Sequence, residues 1–96
     1  MTLNPQQIKH LKTLAHALSP IVRIGQNGIT DPVLNELEIA LDHHELVKVK
    51  LAGGNREQRT EMMTTLAERS GATQIQKIGG VLVLFRRNNK KPVINF

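Results

Sequence analysis

Twice in the first 56 residues a short apolar run stops at glycine and a helix start follows at once, and this repetition restricts the chain to an α/β architecture. Ile21-Val22-Arg23-Ile24 is a largely β-branched run that ends at Gly25, and Gly25-Gln26-Asn27-Gly28 then leads into Asp31-Pro32. Proline disfavours helical geometry in the residue before it, which points to Asp31 as the cap of the following helix. In the second unit Val47, Val49 and Leu51 alternate with Lys48 and Lys50, so one strand face is apolar and the other wet and basic. Ala52-Gly53-Gly54 follows, and Asn55 is placed to cap another helix. A strand-helix-strand crossover makes its two strands parallel, so both glycine turns are expected at the same sheet edge.

The flanking segments complete the order. Asn4, Pro5 and Gln7 form a helix-start signal with a capping box, and Leu3 is placed to staple against Ile8. Ile8, Leu11, Leu14, Ala15 and Leu18 recur at helical spacing until Ser19-Pro20. Val33, Leu34, Leu37, Ala40 and Leu41 give the second helix its apolar stripe, which ends near His43-His44. The third helix carries Met62, Met63, Leu66 and Ala67 and stops at Gly71, while residues 73–78 and 81–86 are strand-like runs joined by Gly79-Gly80. The expectation is a single compact α/β domain over residues 1–87, ordered α-β-α-β-α-β-β, with one layer of helices on a four-stranded mixed sheet. Residues 88–96 read as a mobile basic tail, with Val93, Ile94 and Phe96 able to dock late. At 96 residues there is material for one core and little for a deep cleft between domains.

Two absences narrow the chemistry. There are no cysteines, so disulfides, thiolate metal sites, cysteine nucleophiles and iron-sulfur clusters are excluded. There is no Trp or Tyr, and the only aromatic rings besides histidine are Phe85 and Phe96. Modules that stack bases on several exposed rings, such as the RRM and the OB-fold, are excluded on that count. The N-terminus shows no signal-peptide pattern, and no apolar run reaches the ~20 residues of a membrane helix, so a cytoplasmic protein without membrane contact is expected.

The 13 Lys and Arg exceed the 8 Asp and Glu by five, which favours an anionic partner. Gly25-Gln26-Asn27-Gly28 lets backbone approach a phosphate beside a helix N-terminus, although spacing alone favours an ordinary turn in which glycine relieves backbone strain. No Lys-Ser or Lys-Thr follows at the Walker offset and no third glycine completes a dinucleotide fingerprint, so nucleotide chemistry has no support. What remains is backbone clamping by a GxxG loop, which needs no aromatic platform. Arg23, Lys48, Lys50, Arg56 and Arg59 are the cations placed to surround it, and Lys9, Lys12, Arg86, Arg87, Lys90 and Lys91 extend the field. An arginine in a first helical turn opposes the helix dipole by about 0.3–1 kcal/mol, a cost a bound phosphate offsets; pairing of Arg56 and Arg59 with Glu57 and Glu61 is the alternative. His43-His44-Glu45 lacks a third residue at metal-ligand spacing, and no nucleophile-base arrangement is visible, so the chain reads as neither an enzyme nor a cofactor protein.

Taken together, Ile24-Gly25-Gln26-Asn27-Gly28-Ile29-Thr30, His43-His44-Glu45-Leu46-Val47-Lys48-Val49-Lys50 and Gly79-Gly80-Val81-Leu82-Val83-Leu84-Phe85-Arg86 resemble the CRM (chloroplast RNA splicing and ribosome maturation) domain in its stand-alone bacterial YhbY form. The resemblance covers nearly the whole chain. It implies a fold similar to the C-terminal domain of translation initiation factor three and an RNA-binding role associated with large-ribosomal-subunit precursors. The implied RNA contacts are Gly25, Gln26, Asn27, Gly28, the adjacent basic surface with Lys48 and Lys50, and the last strand ending at Arg86. The family's last strand often carries Tyr where this chain has Phe85, so no phenolic hydroxyl is offered there. A protein-binding adaptor, with charge serving only to steer association, is the rival from another class, and a monomer is expected in either case.

Overall fold

The computed structural model describes residues 2–96 and contains the expected seven elements: α1 (Pro5–Ala15), β1 (Val22–Ile24), α2 (Asp31–His44), β2 (Leu46–Leu51), α3 (Arg56–Ser70), β3 (Thr73–Ile78) and β4 (Val81–Phe85). The sheet order is β1-β2-β4-β3, with β1 parallel to β2 and the other pairs antiparallel. Capping follows the side chains. Asn4 accepts from the Gln7 amide at 2.8 Å and Gln7 returns the bond at 3.0 Å; Asn55 and Gln58 repeat the exchange at 2.9 Å each way. At α2 the cap is Thr30 and not Asp31. The Thr30 backbone is extended and its hydroxyl reaches the Val33 amide at 3.3 Å, so Asp31 becomes the first helical residue, where its carboxylate favours the helix dipole.

The helices form two layers, not one. Leu37, Leu41, Met63 and Leu66 from α2 and α3 pack on Val47, Val49, Leu82 and Leu84. On the opposite face Leu11 and Ala15 of α1 cover Leu46, Ile75, Val83 and Phe85. The reason is legible in β4: Val81-Leu82-Val83-Leu84-Phe85 has no polar alternate, and a strand apolar on both faces must be covered on both. α1 ends at Ala15, short of the expected Ser19, and leaves Leu14 and Leu18 partly exposed.

Gly80 closes the β3–β4 turn under a tight constraint. Its carbonyl accepts from the Leu51 amide at 2.7 Å, and a Cβ at Gly80 would stand 2.7 Å from the Leu51 carbonyl oxygen. That approach ties the end of β2 to the start of β4 and admits only glycine.

The other end of the sheet is held by Glu45, the residue between α2 and β2. It has φ +61°, outside the range non-glycine residues usually occupy, and is fully buried. Its carboxylate accepts from the amides of Asn88 (2.6 Å), Val93 (2.7 Å) and Ile94 (2.8 Å) and from the Arg87 guanidinium (3.3 Å), while its carbonyl accepts from the Arg86 amide at 2.9 Å. Residues 88–96, expected as a mobile tail, are thereby folded back onto the domain. Phe96 lies edge-on to Phe85, with centroids 5.7 Å apart, and beneath the Arg87 guanidinium at 5.2 Å.

Burial by itself pushes the Glu45 carboxyl up, but the donors from Asn88, Ile94 and Val93 and the Arg87 charge outweigh it and hold the group below the ordinary value of 4.5. A carboxyl lowered by folding contributes stability that is fully present above its unfolded value and is lost as pH falls through its folded one. Protection of the Val93 and Ile94 amides in hydrogen exchange is therefore expected to be constant near neutrality and to decline below pH 4.5. Glu45→Gln removes this dependence and lowers stability at neutral pH by about 1–3 kcal/mol; unchanged protection in the variant would show that the carboxylate does not hold the tail.

Candidate nucleic-acid interface

The Gly25–Gly28 loop is a tight turn in which the Gly28 amide donates to the Gly25 carbonyl at 3.1 Å, with Gln26 and Asn27 exposed at its tip. Its two glycines have different reasons. Gly28 sits at φ +69°, where any Cβ is strained, whereas Gly25 has no such backbone and a Cβ there meets nothing within 4 Å. The Ala52 amide donates to the Ile24 carbonyl at 2.8 Å, so the turns after β1 and β2 are neighbours, as the crossover rule requires. Between them lies a cavity of about 450 Å³ lined by Gly25, Gln26, Gly28, Gly53, Gly54 and Gln58, with Glu61 also on its wall.

The register of the sheet decides which cations share a face. Arg23 is paired with Lys50, Lys50 with Val81, and Val81 with Ile78, a single row across all four strands on the α1 side. The next row holds Lys48, Val83 and Gln76. α1 covers only part of this face, and Arg23 and Lys50 are exposed beyond it. Lys48 is half-buried and its ammonium donates to the Leu18 carbonyl at 3.0 Å. Arg23 and Lys50 are like charges on adjacent strands, an arrangement that is unfavourable unless an anion lies over it.

The acids lie elsewhere. Asp31, Glu36, Glu38 and Asp42 belong to α2, Glu45 follows it, and Glu57, Glu61 and Glu68 belong to α3, which accounts for all 8 carboxylate side chains. α1 and the four strands contain none, and α1 adds Lys9 and Lys12. The domain is electrostatically two-sided, with every carboxylate in or beside the α2–α3 layer and a carboxylate-free surface on α1 and the exposed sheet.

Arg56 and Arg59 form a separate cleft of about 320 Å³ with Lys77, Thr60, Met63 and Gly79, at the α3 side of the same sheet end. Arg59 donates to the Gly54 carbonyl at 2.8 Å, and its buried Nε has no partner. The expected alternative, pairing with Glu57 and Glu61, is absent: the ion pairs among the described residues are Arg86 with Glu38 and Asp42, and Arg87 with Glu45.

Arg86 and Arg87 stand apart from the other candidates. Leu46 is paired with Phe85 and Lys50 with Val81, so the end of β4 lies at the start of β2, a strand length of about 17 Å from the loop end. There Arg86 donates to Glu38 at 2.7 Å, Asp42 at 2.9 Å and the Ser70 carbonyl at 2.8 Å, and binds the C-terminal ends of α2 and α3 to the sheet. The role of Glu45 is not apparent from the His43-His44-Glu45 run; a carboxylate directly between a helix and a central strand is the signal available in the sequence. No group of three or more His, Cys, Asp or Glu able to hold a metal ion occurs among the described residues, and none of their helices is long and apolar enough to cross a membrane.

Residues 3–86 match the CRS1 / YhbY (CRM) domain. The chain is similar to an RNA-binding protein of Haemophilus influenzae, with 45% identity over 92 residues covering 96% of this chain and 93% of that one. It is similar to a probable RNA-binding protein of Pseudomonas aeruginosa, with 40% identity over 94% of this chain and 86% of the other. The solution structure of a hypothetical protein from Staphylococcus aureus superimposes with a TM-score of 0.78 at 30% identity, covering 98% of this chain and 100% of that one.

The two loop glycines are expected to separate in denaturant unfolding. Gly28→Ala lowers stability by about 1–2 kcal/mol through its left-handed backbone, whereas Gly25→Ala stays within about 0.5 kcal/mol of the parent. Equal losses at both positions would contradict the different environments described above.

Proposed function

The chain belongs to the CRS1 / YhbY (CRM) domain family, and from that membership we propose that it is a non-catalytic, monomeric RNA-binding protein of the cytoplasm whose target is ribosomal RNA of the large-subunit precursor. RNA backbone lies against the Gly25–Gly28 loop and continues along Arg23, Lys50 and Lys48, with Arg56 and Arg59 available at the α3 side of the loop end. The observation that carries this reading is the segregation of charge: all 8 carboxylate side chains belong to or adjoin α2 and α3, which leaves Arg23 and Lys50 as the only charged groups in the sheet row beside the loop. The similar proteins described as RNA-binding in Haemophilus influenzae and Pseudomonas aeruginosa support the polyanion as partner. Glu61 on the wall of the cavity between the glycine turns disfavours phosphate there, and so favours a path across the α1 side of the sheet. Arg86 and Arg87, already satisfied by carboxylates, serve the fold in this reading and contribute little to RNA affinity.

A protein-binding adaptor has one observation in its favour, an apolar groove of about 500 Å³ whose lining includes Leu14, Leu18, Ile21, Val93 and Ile94. Salt dependence separates the two. Four to six phosphate contacts give log affinity a slope of roughly −3 to −5 against log salt, whereas a protein interface with charges at its rim varies much less.

Binding of large-subunit ribosomal RNA fragments across a salt series tests the proposal together with Lys50→Ala. Removing one member of the Arg23–Lys50 pair is expected to leave folding stability unchanged or raise it by about 0.2–1 kcal/mol, while the salt slope shrinks by about 0.7–0.9. Gly25→Asp, which leaves the backbone unstrained, is expected to weaken binding as well. Full affinity and full slope in both variants would remove the loop and the sheet row from the interface.

A further inference from the structure

Beside the Arg23–Lys50 row the sheet face opens into a cavity of about 290 Å³, floored by Val81 and Val83 and bordered by Ile78, His16, Lys48 and Gln76. We propose that this cavity is a subsite for a single unpaired nucleobase, whose ring lies on the aliphatic floor and whose edge is read by Gln76. The inference rests on the RNA reading above and deepens it, because backbone clamping alone requires no such cavity.

Gln76 reaches this face through an irregularity of the sheet. Gln74 is paired with Leu84 and Gln76 with Val83, so Ile75 is an extra residue and β3 carries a bulge. Ile75 packs beneath α1 with Val83, and the bulge brings Gln76 to that side too. Regular alternation from Ile75 would have put Lys77 there and sent Gln76 and Ile78 to the α3 side. Instead Lys77 lines the α3 cleft with Arg56 and Arg59, while Gln76 and Ile78 line the cavity. Bulges recur where a strand must re-aim a side chain at a functional surface.

The chemistry of the cavity suits a base. A carboxamide presents a donor and an acceptor together, the pair needed to read a nucleobase edge. One proton of the Lys48 ammonium is committed to the Leu18 carbonyl, and two remain. Ile78 is 66% exposed, so its side chain is uncovered apolar surface at the rim. The cavity adjoins a row of cations and no carboxylate, so a strand whose phosphates cross Arg23 and Lys50 can present a base over Val81. Duplex RNA keeps its bases stacked and paired, with the major-groove edges in a deep, narrow groove that side chains cannot read, so the occupant is a base splayed from a single strand.

The test compares single-stranded oligoribonucleotides of about eight nucleotides, each of one base type, with abasic strands of the same length and with duplex RNA. The expected result is about tenfold tighter binding of at least one base-bearing strand than of its abasic counterpart at equal salt. Gln76→Ala and Ile78→Ala, at half-buried and exposed positions, are expected to reduce that binding about five- to tenfold. Neither variant should alter abasic binding or the salt slope. Equal affinity for base-bearing and abasic strands with a steep salt slope would overturn the subsite and leave backbone binding standing, as would preference for duplex. An absence of salt-dependent binding to any RNA would overturn both.

Discussion

One buried carboxylate joins three parts of this chain that are distant in sequence. Glu45 links α2 to the central strand β2, accepts the backbone of the chain as it leaves β4, and holds the amides of residues 88, 93 and 94. Its backbone lies in a sparsely populated region that costs a non-glycine residue about 1–3 kcal/mol, and glycine would relieve that strain but abolish the carboxylate. Four donors converge on two oxygens, so the strain persists because the surrounding hydrogen bonds over-determine it. Arg86 performs the complementary task one residue past β4, where its guanidinium binds Glu38, Asp42 and the end of α3. Together they cross-link one end of the sheet, and the opposite end carries the glycine turns and cations without carboxylate partners.

This division of labour follows from charge placement. Carboxylates confined to α2, α3 and Glu45 neutralise arginines that the fold requires, and none reaches the cations of the sheet face. Arg23 and Lys50 side by side make an unfavourable neighbour pair in the free protein, a small cost in stability that a bound polyanion would offset under the proposed RNA reading. With so few aromatic residues, the face offers a proposed RNA ligand backbone access at Gly25–Gly28, positive charge and aliphatic surface in place of stacking rings.

Much of the fold was legible because the relevant signals are local. The Asn4 and Asn55 caps, the alternation of β2 and the Gly79-Gly80 turn each act through residues within a few positions of one another. The adjacency of the two glycine turns was also legible, since handedness and strand polarity leave a β-α-β unit little choice. The second helical layer was readable in principle from the unbroken apolar run of β4, but the first helix gives no local sign of which face it will cover. The Thr30 cap differs from the expected Asp31 by one residue because both side chains can cap, and only the geometry of the turn shows which oxygen reaches the Val33 amide.

The sequence by itself determined the element order, the exclusion of cysteine and ring-stacking chemistry, the glycine loop, and the pool of cations from which a candidate interface can be drawn. These follow from side-chain type and spacing, which act over one or two turns of chain. Only the tertiary structure decided which cations share a face, because that depends on strand register, and a shift of one residue moves every side chain to the other side of the sheet. It placed Arg23 beside Lys50, took Arg86 and Arg87 to the far end among carboxylates, and used a bulge at Ile75 to bring Gln76 onto the open face.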